Sequence, residues 1–232
     1  LFLPHGAITQ LASIAFAQSA SFVLVVVPLF VMMGEALAAT TIGRDLFTAA
    51  QIWLRRLPGS LAIGTIAACA VFGGPCGSSP VTAATIGSMA IPEMIKKGYK
   101  PSLAYGVTAA GGTLGILIPP SIPMVLYGVI TETSIGDLFI AGIVPGILMT
   151  IMLALTVMYQ VWRDPSVAPH APIATIEKER WTSLKAVIPI TLLGVAIMGS
   201  IYAGIATPTE AGAVGALGSL VIAWWLRALN RK

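Results

Sequence analysis

The sequence predicts an all-α integral membrane fold, and three observations carry that prediction. The 232 residues are 56% hydrophobic and 9% charged, against about 25% charged in a typical soluble domain, and the mean hydropathy is +0.91. Apolar runs recur at the length of membrane spans. Two Gly/Pro-broken stretches, Phe72 to Thr82 and Gly111 to Pro123, interrupt them, and irregular backbone survives at membrane depth only where protein or a wet cavity lines it. The expected architecture is a set of transmembrane helices with a re-entrant helical hairpin and a broken helix. The formal net charge of +4 fits the basic flanks of membrane spans rather than nucleic acid, for which no motif is present. Cys69 and Cys76 both lie in apolar sequence, which supports neither a disulfide framework nor a four-ligand metal site. The chain opens at Leu1 without a charged leader region, so no signal peptide is expected and the sequence reads as a fragment.

Residues 1–39 comprise a mildly apolar loop, with Pro4, His5 and Gln10, and a first span from Ser21 to Ala39. That span suffices to cross a hydrocarbon core of about 30 Å at about 1.5 Å per residue. Glu35 near its end is either a functional carboxylate or one that reaches the headgroups. Residues 40–57 change character: Ile42, Leu46, Phe47, Ala50, Trp53 and Leu54 recur at helical spacing beside Arg44, Asp45, Gln51, Arg55 and Arg56. This pattern predicts a helix lying in the interface as an arm.

Residues 58–94 predict the hairpin: a first arm from Pro58 to Val71, a polar knot over 72–79 and a second arm from Pro80 to Met94. Arms of about 14 or 15 residues span roughly 22 Å and fall short of a full core. Two thin, tilted spans are the alternative, since both versions begin and end on one side. Residues 101–130 would make a helix of about 45 Å if unbroken. Pro119, Pro120 and Pro123 remove donors and clash with the preceding turn, predicting two half-helices around an unwound piece near Leu117 to Pro123. After the acidic turn Thr131 to Asp137 follow a span over 138–161, a hydrophilic loop over 162–185, and two further spans in 186–232 ending in Trp224, Trp225, Arg227, Arg231 and Lys232. All 13 Lys and Arg residues fall in the arm, the 95–100 loop, the 162–185 loop and the C-terminus. The positive-inside rule makes that side cytoplasmic and opens the hairpin toward it.

Two helix breaks at membrane depth offer carbonyls to a cation and amides to an anionic group. Ser78, Ser79, Thr82, Thr113 and Ser121 add hydroxyls, and hard cations take oxygen ligands, so a sodium site shared between the breaks is one reading. The other is that these hydroxyls bond back to the preceding turn and the glycines only permit close packing. Glu210, after Pro208, either complements its helix dipole or couples to transport. Gly212, Gly215 and Gly218 form a slim face for a neighbouring helix. Cys76 reads as a small tolerated side chain, and His5 and His170 have no acid or serine partner. No catalytic motif or metal-ligand cluster is present, so the protein is not expected to be an enzyme.

The runs PLFVMMGEAL, LPGSLA, FGGPCGSSPVTAATIGSMAIPEMIKKGY, GVTAAGGTLGILIPPSIPMVLYGVITETSIGDLFIAGIVPG and ATPTEAGAVGAL resemble the large membrane (M) subunit of tripartite ATP-independent periplasmic (TRAP) transporters. The resemblance spreads over nearly the whole chain and covers approximately the first half of such a subunit. It implies one of two inverted repeats of an elevator fold of the ion-transporter type, in the bacterial inner membrane. It further implies Na⁺ as coupling ion, a periplasmic substrate-binding protein, a small membrane (Q) subunit, and carboxylate substrates such as C4-dicarboxylates, sialic acid and keto or sugar acids. The sodium site carries over to Ser78, Ser79, Thr82, Thr113 and the backbone from Gly115 through Pro119 to Ser121. Gly77, Ser78 and Pro120 are the substrate-binding candidates. The tip here reads Gly74-Pro75-Cys76 where relatives usually carry Ala-Ile-Ser, and no second GSS or PPSIP run follows. A non-transporting membrane scaffold and a cation exchanger are the alternative functions.

Overall fold

The computed structural model describes residues 13, 16, 22–169 and 177–226, and every regular element among them is helical. A 3₁₀ turn over Phe22–Val25 leads into α1 (Val26–Ala38), followed by α2 (Ile42–Leu54), α3 (Ser60–Cys76), α4 (Ser79–Lys96), α5 (Pro101–Gly112), α6 (Leu114–Leu117), α7 (Ile122–Thr131), α8 (Ile135–Arg163), α9 (Glu177–Tyr202) and α10 (Pro208–Trp225). Among the described residues α8 is the one helix long and apolar enough to cross a membrane unbroken. The bent pairs α1 with α2 and α5–α6 with α7 bring that number to three.

The first packed group is α1, α9 and α10. Without an excluded-water drive between helices in lipid, small residues let backbones meet. A Cβ at Gly212 would lie 2.9 Å from Val26, one at Gly215 2.7 Å from Ile197 and 2.8 Å from Met33, and one at Gly218 2.7 Å from Leu193. The slim face expected of α10 is thus filled by both neighbours. Chain direction then turns 67° between α1 and α2. The arm helix buries Ile42, Leu46 and Phe47 against α3 and α9, while Trp53 on the expected stripe is exposed. Its apolar side packs against protein.

The second group is the hairpin α3–α4 with α5. The polar knot expected over 72–79 is almost closed: α3 runs through Gly73, Gly74 and Pro75, and only Gly77 and Ser78 are outside a helix. The arms have 17 and 18 residues, about 26–27 Å, so length alone no longer separates hairpin from thin spans. Depth does. The tip meets the α6–α7 break, beyond which α7 continues for 10 residues, about 15 Å, toward the end formed by residues 128–136 and 201–209.

The opposite end gathers the bases of the hairpin and of α8. Tyr99 Oη accepts the Leu61 N–H at 3.3 Å, Lys100 N–H donates to Val167 O at 3.0 Å, and the Lys100 ammonium pairs with Asp164 at 2.7 Å. Lys96, Lys97, Lys100 and Arg163 therefore share one end, and Glu132 and Asp137 lie at the other. The hydrophilic loop expected over 162–185 is shorter, because α8 reaches Arg163 and α9 begins at Glu177. His5, His170 and the terminal Arg227, Arg231 and Lys232 lie outside the described residues.

Candidate functional site: a junction of two helix breaks

Gly77 stops α3 in the left-handed region, φ 63°, where its N–H donates to Gly73 O at 2.8 Å. A side chain there costs roughly 1 kcal/mol or more, which is why glycine ends this arm. Ser78 is extended, and Pro80 in the first turn of α4 gives up a donor that the helix leaves free anyway. The Ser78 carbonyl accepts from Thr82 twice, from its N–H at 3.1 Å and its Oγ1 at 2.7 Å. The Ser78 hydroxyl caps no helix amide.

Facing this turn is the second break. Helical backbone stops after Leu117, residues 118–121 are irregular with a cis Pro119–Pro120 peptide, and Pro123 falls inside the first turn of α7 instead of in the break. The two prolines present carbonyls without N–H groups. Ser121 Oγ donates to Ile116 O at 2.6 Å, tying the break to its own helix. One backbone bond crosses the junction, from Ile122 N–H to Gly77 O at 3.4 Å.

Glycine makes the approach possible. A Cβ at Gly73 would lie 2.7 Å from Gly115 Cα, and one at Gly115 would lie 2.7 Å from Thr82 Oγ1 and 2.9 Å from Ser78 O. Pro119 O and Pro120 O lie 3.3 and 3.1 Å from where Cβ atoms at Gly74 and Gly77 would stand. Thr82, Gly115, Pro119, Pro120 and Ser121 are buried, whereas Ser78 and Ser79 are half-exposed.

The junction thus collects Gly77, Ser78, Thr82, Gly115, Pro119 and Pro120, with Ser121 bonded inside the same break. Ser79 opens α4 and turns its carbonyl toward Gly112. Thr113 is not brought in through its side chain: it is exposed and its hydroxyl donates to Ala110 O at 2.7 Å. Glu210 forms a capping box, its carboxylate accepting from Thr207 N–H and Oγ1, both at 2.8 Å, while Thr207 Oγ1 accepts from Glu210 N–H. Of its two expected roles, this geometry supplies the one at the helix N-terminus.

Chemically, the junction is a set of neutral oxygens, and among the described residues no three His, Cys, Asp or Glu side chains gather. The Pro119 and Pro120 carbonyls of the irregular break, with the Thr82 and Ser121 hydroxyl oxygens close by, are of the kind that suits a hard monovalent cation.

The family model for the tripartite ATP-independent periplasmic transporter, DctM component, matches residues 4–232. This chain belongs to the DctM family. Among curated relatives, the C4-dicarboxylate TRAP transporter large permease protein DctM of Pseudomonas aeruginosa is 40% identical over 223 residues, covering 96% of this chain and 51% of the relative. The isethionate TRAP transporter permease protein DctMQ of Oleidesulfovibrio alaskensis is 37% identical over 93% of this chain and 34% of its own length. The sialic acid TRAP transporter large permease protein SiaM of Vibrio cholerae is 37% identical over 87% and 47%. The chain spans about half the length of DctM and SiaM. A DctM-family chain is a component of an inner-membrane transporter, not an enzyme.

Two contacts of this DctM-family junction were not anticipated from sequence. A Cβ at Gly34 in α1 would lie 2.9 Å from Cys76 O, and one at Gly194 in α9 would lie 3.6 Å from the Pro75 ring. The hairpin tip is therefore held against two helices of the first packed group, α1 and α9. The isolated glycine in VMMGEAL and that in TLLGVA were the available signals, but glycine in a span marks close packing without naming what approaches.

Proposed function

We propose that the chain is one half of a sodium-coupled secondary transporter that imports organic acids by an elevator movement, with Na⁺ held at the hairpin–break junction. The observation that carries this is the meeting of Gly77–Ser78 with Ile118–Ser121, where two interruptions of helical structure bring the carbonyls of Gly77, Ser78, Pro119 and Pro120 close together inside the molecule. Thr82, Ser121 and the carbonyls of Ser78, Pro119 and Pro120 would hold the ion. Gly77, Ser78 and Pro120 would face an acidic substrate group, with further contacts from the second inverted repeat. The arm α2, touching both α3 and α9, would connect moving and static parts.

The relatives' names point to a substrate with at least one acid group: C4-dicarboxylate, sialate and isethionate share that feature. A periplasmic substrate-binding protein would deliver it, and a small membrane subunit would complete the complex. In proteoliposomes holding the full-length permease with both partners, uptake is expected to require Na⁺, and Thr82→Ala to raise the Na⁺ concentration needed by about tenfold or more. Uptake indifferent to Na⁺ overturns the coupling; unaltered uptake after replacing Ser78, Ser79 and Thr82 together leaves a packing role for the junction.

A further inference from the structure

Away from the junction, a groove of about 840 Å³ opens between α5 and α8 at the basic end of the molecule. Its floor is apolar, with Leu103, Val107, Leu153 and Val157. Its mouth is polar, with Lys100, Tyr159, Gln160, Arg163 and Asp164, one carboxylate against two basic side chains. Lys100 is paired with Asp164 at 2.7 Å, while exposed Arg163 makes no ion pair among the described residues. Trp162, exposed, stacks obliquely on Tyr159 with ring centroids 6.3 Å apart. An aromatic pair beside basic side chains marks headgroup depth. The outer face of α8, including Ile147, Ile151 and Leu155, is exposed and apolar. Midway along the groove, a Cβ at Gly106 would meet nothing within 4 Å, so the space beside α5 is open.

We propose that this groove binds an anionic phospholipid of the cytoplasmic leaflet. Its phosphate sits on Arg163 with Lys100 adjacent, and one acyl chain lies along Gly106, Val107 and Val157. Three features select this occupant. The groove combines hydrocarbon walls with a polar mouth, so its polarity runs in the same order as a lipid's. Lys96, Lys97, Lys100 and Arg163 against Glu93 and Asp164 leave this end net positive, which favours an acidic over a zwitterionic headgroup. Guanidinium is the side chain suited to two-point phosphate contact. The proposal rests on membrane placement and not on the sodium junction.

The test is native mass spectrometry of the full-length permease with phosphatidylglycerol, phosphatidylcholine or inorganic phosphate added. Phosphatidylglycerol should be retained over phosphatidylcholine, and Arg163→Ala should weaken retention about fivefold, the size expected of one basic residue at an anionic surface. Gly106→Leu, which places a side chain in open space, should displace the lipid while leaving the charges intact. Equal retention of both lipids, or phosphatidylglycerol binding untouched by either variant, overturns the proposal, the retained lipid then lying elsewhere on the permease or held without headgroup selection. Inorganic phosphate competing as well as the lipid overturns it in favour of a simple anion site.

Discussion

At the residue scale, Gly115 is the position where the junction tolerates least. An alanine methyl would stand 2.7 Å from Thr82 Oγ1 and 2.9 Å from Ser78 O, neither of which is the free end of a long side chain. Gly115→Ala is expected to force the two breaks apart, costing about 1–3 kcal/mol as overpacking does, with uptake lost and a lower melting temperature; wild-type uptake would show that the contact relaxes. Glu210 tests the opposite kind of assignment. Its carboxylate is spent on Thr207, and glutamine serves the same position of a capping box. Glu210→Gln should therefore keep uptake near wild type, and a collapse of uptake would restore the coupling role. Sequence made Glu210 a candidate because an acid near a span is suspect; the box that occupies it was visible too, as Thr207-Pro208-Thr209-Glu210, but its closure depends on where the helix starts.

Among the elements, the two helical breaks behaved differently from their sequence signals. Three prolines announced the second break, and it falls at 118–121 as a short irregular piece. The first was announced by Gly73-Gly74-Pro75, yet helix continues through them, because glycine permits helical torsions as readily as any others and a bilayer leaves no solvent to replace a lost backbone bond. Gly77 ends the arm through its left-handed torsion. The link between the α4–α5 loop and the end of α8 is likewise tertiary, made by Lys100 and Asp164, 64 residues apart. Hydrogen bonds from Lys100 and Ser166 hold the Asp164 carboxyl down at about 2, against an ordinary 3.8. A lowered carboxylate contributes stability above its unfolded value and loses it as pH falls through the folded one. The melting-temperature gap between wild type and Asp164→Asn should thus stay flat through neutral pH and shrink only on acidification below about pH 4. Because both side chains are half-exposed, the gap itself is expected to be small.

For the whole molecule, the sorting of charge and the sorting of contacts agree. Residues 96–100 and 163–167 meet at one end, and 128–136 and 206–209 at the other. A cysteine placed at Ser166 in an otherwise cysteine-free full-length permease should react with an impermeant thiol reagent only from the cytoplasmic side, and one at Glu132 only from the periplasm. The reverse pattern would invert the molecule and turn the hairpin mouth outward. The chain spans about half the length of DctM and SiaM, and its described residues present one helical hairpin and one broken helix meeting at the junction.

Sequence by itself determined the class, the all-helical character, the basic end and the acidic end, and the identity of the two interrupted segments, because hydropathy, basic flanks and proline act locally and are readable one segment at a time. It also carried the family, through motifs spread along the chain. Only the tertiary structure decided which oxygens face one another. Thr113 turned out to bond its own helix and Glu210 to cap one, while Gly34 and Gly194 flank the tip. A site between two breaks depends on how closely backbones from distant segments approach, and that distance is set by packing at Gly73 and Gly115, which no single segment encodes.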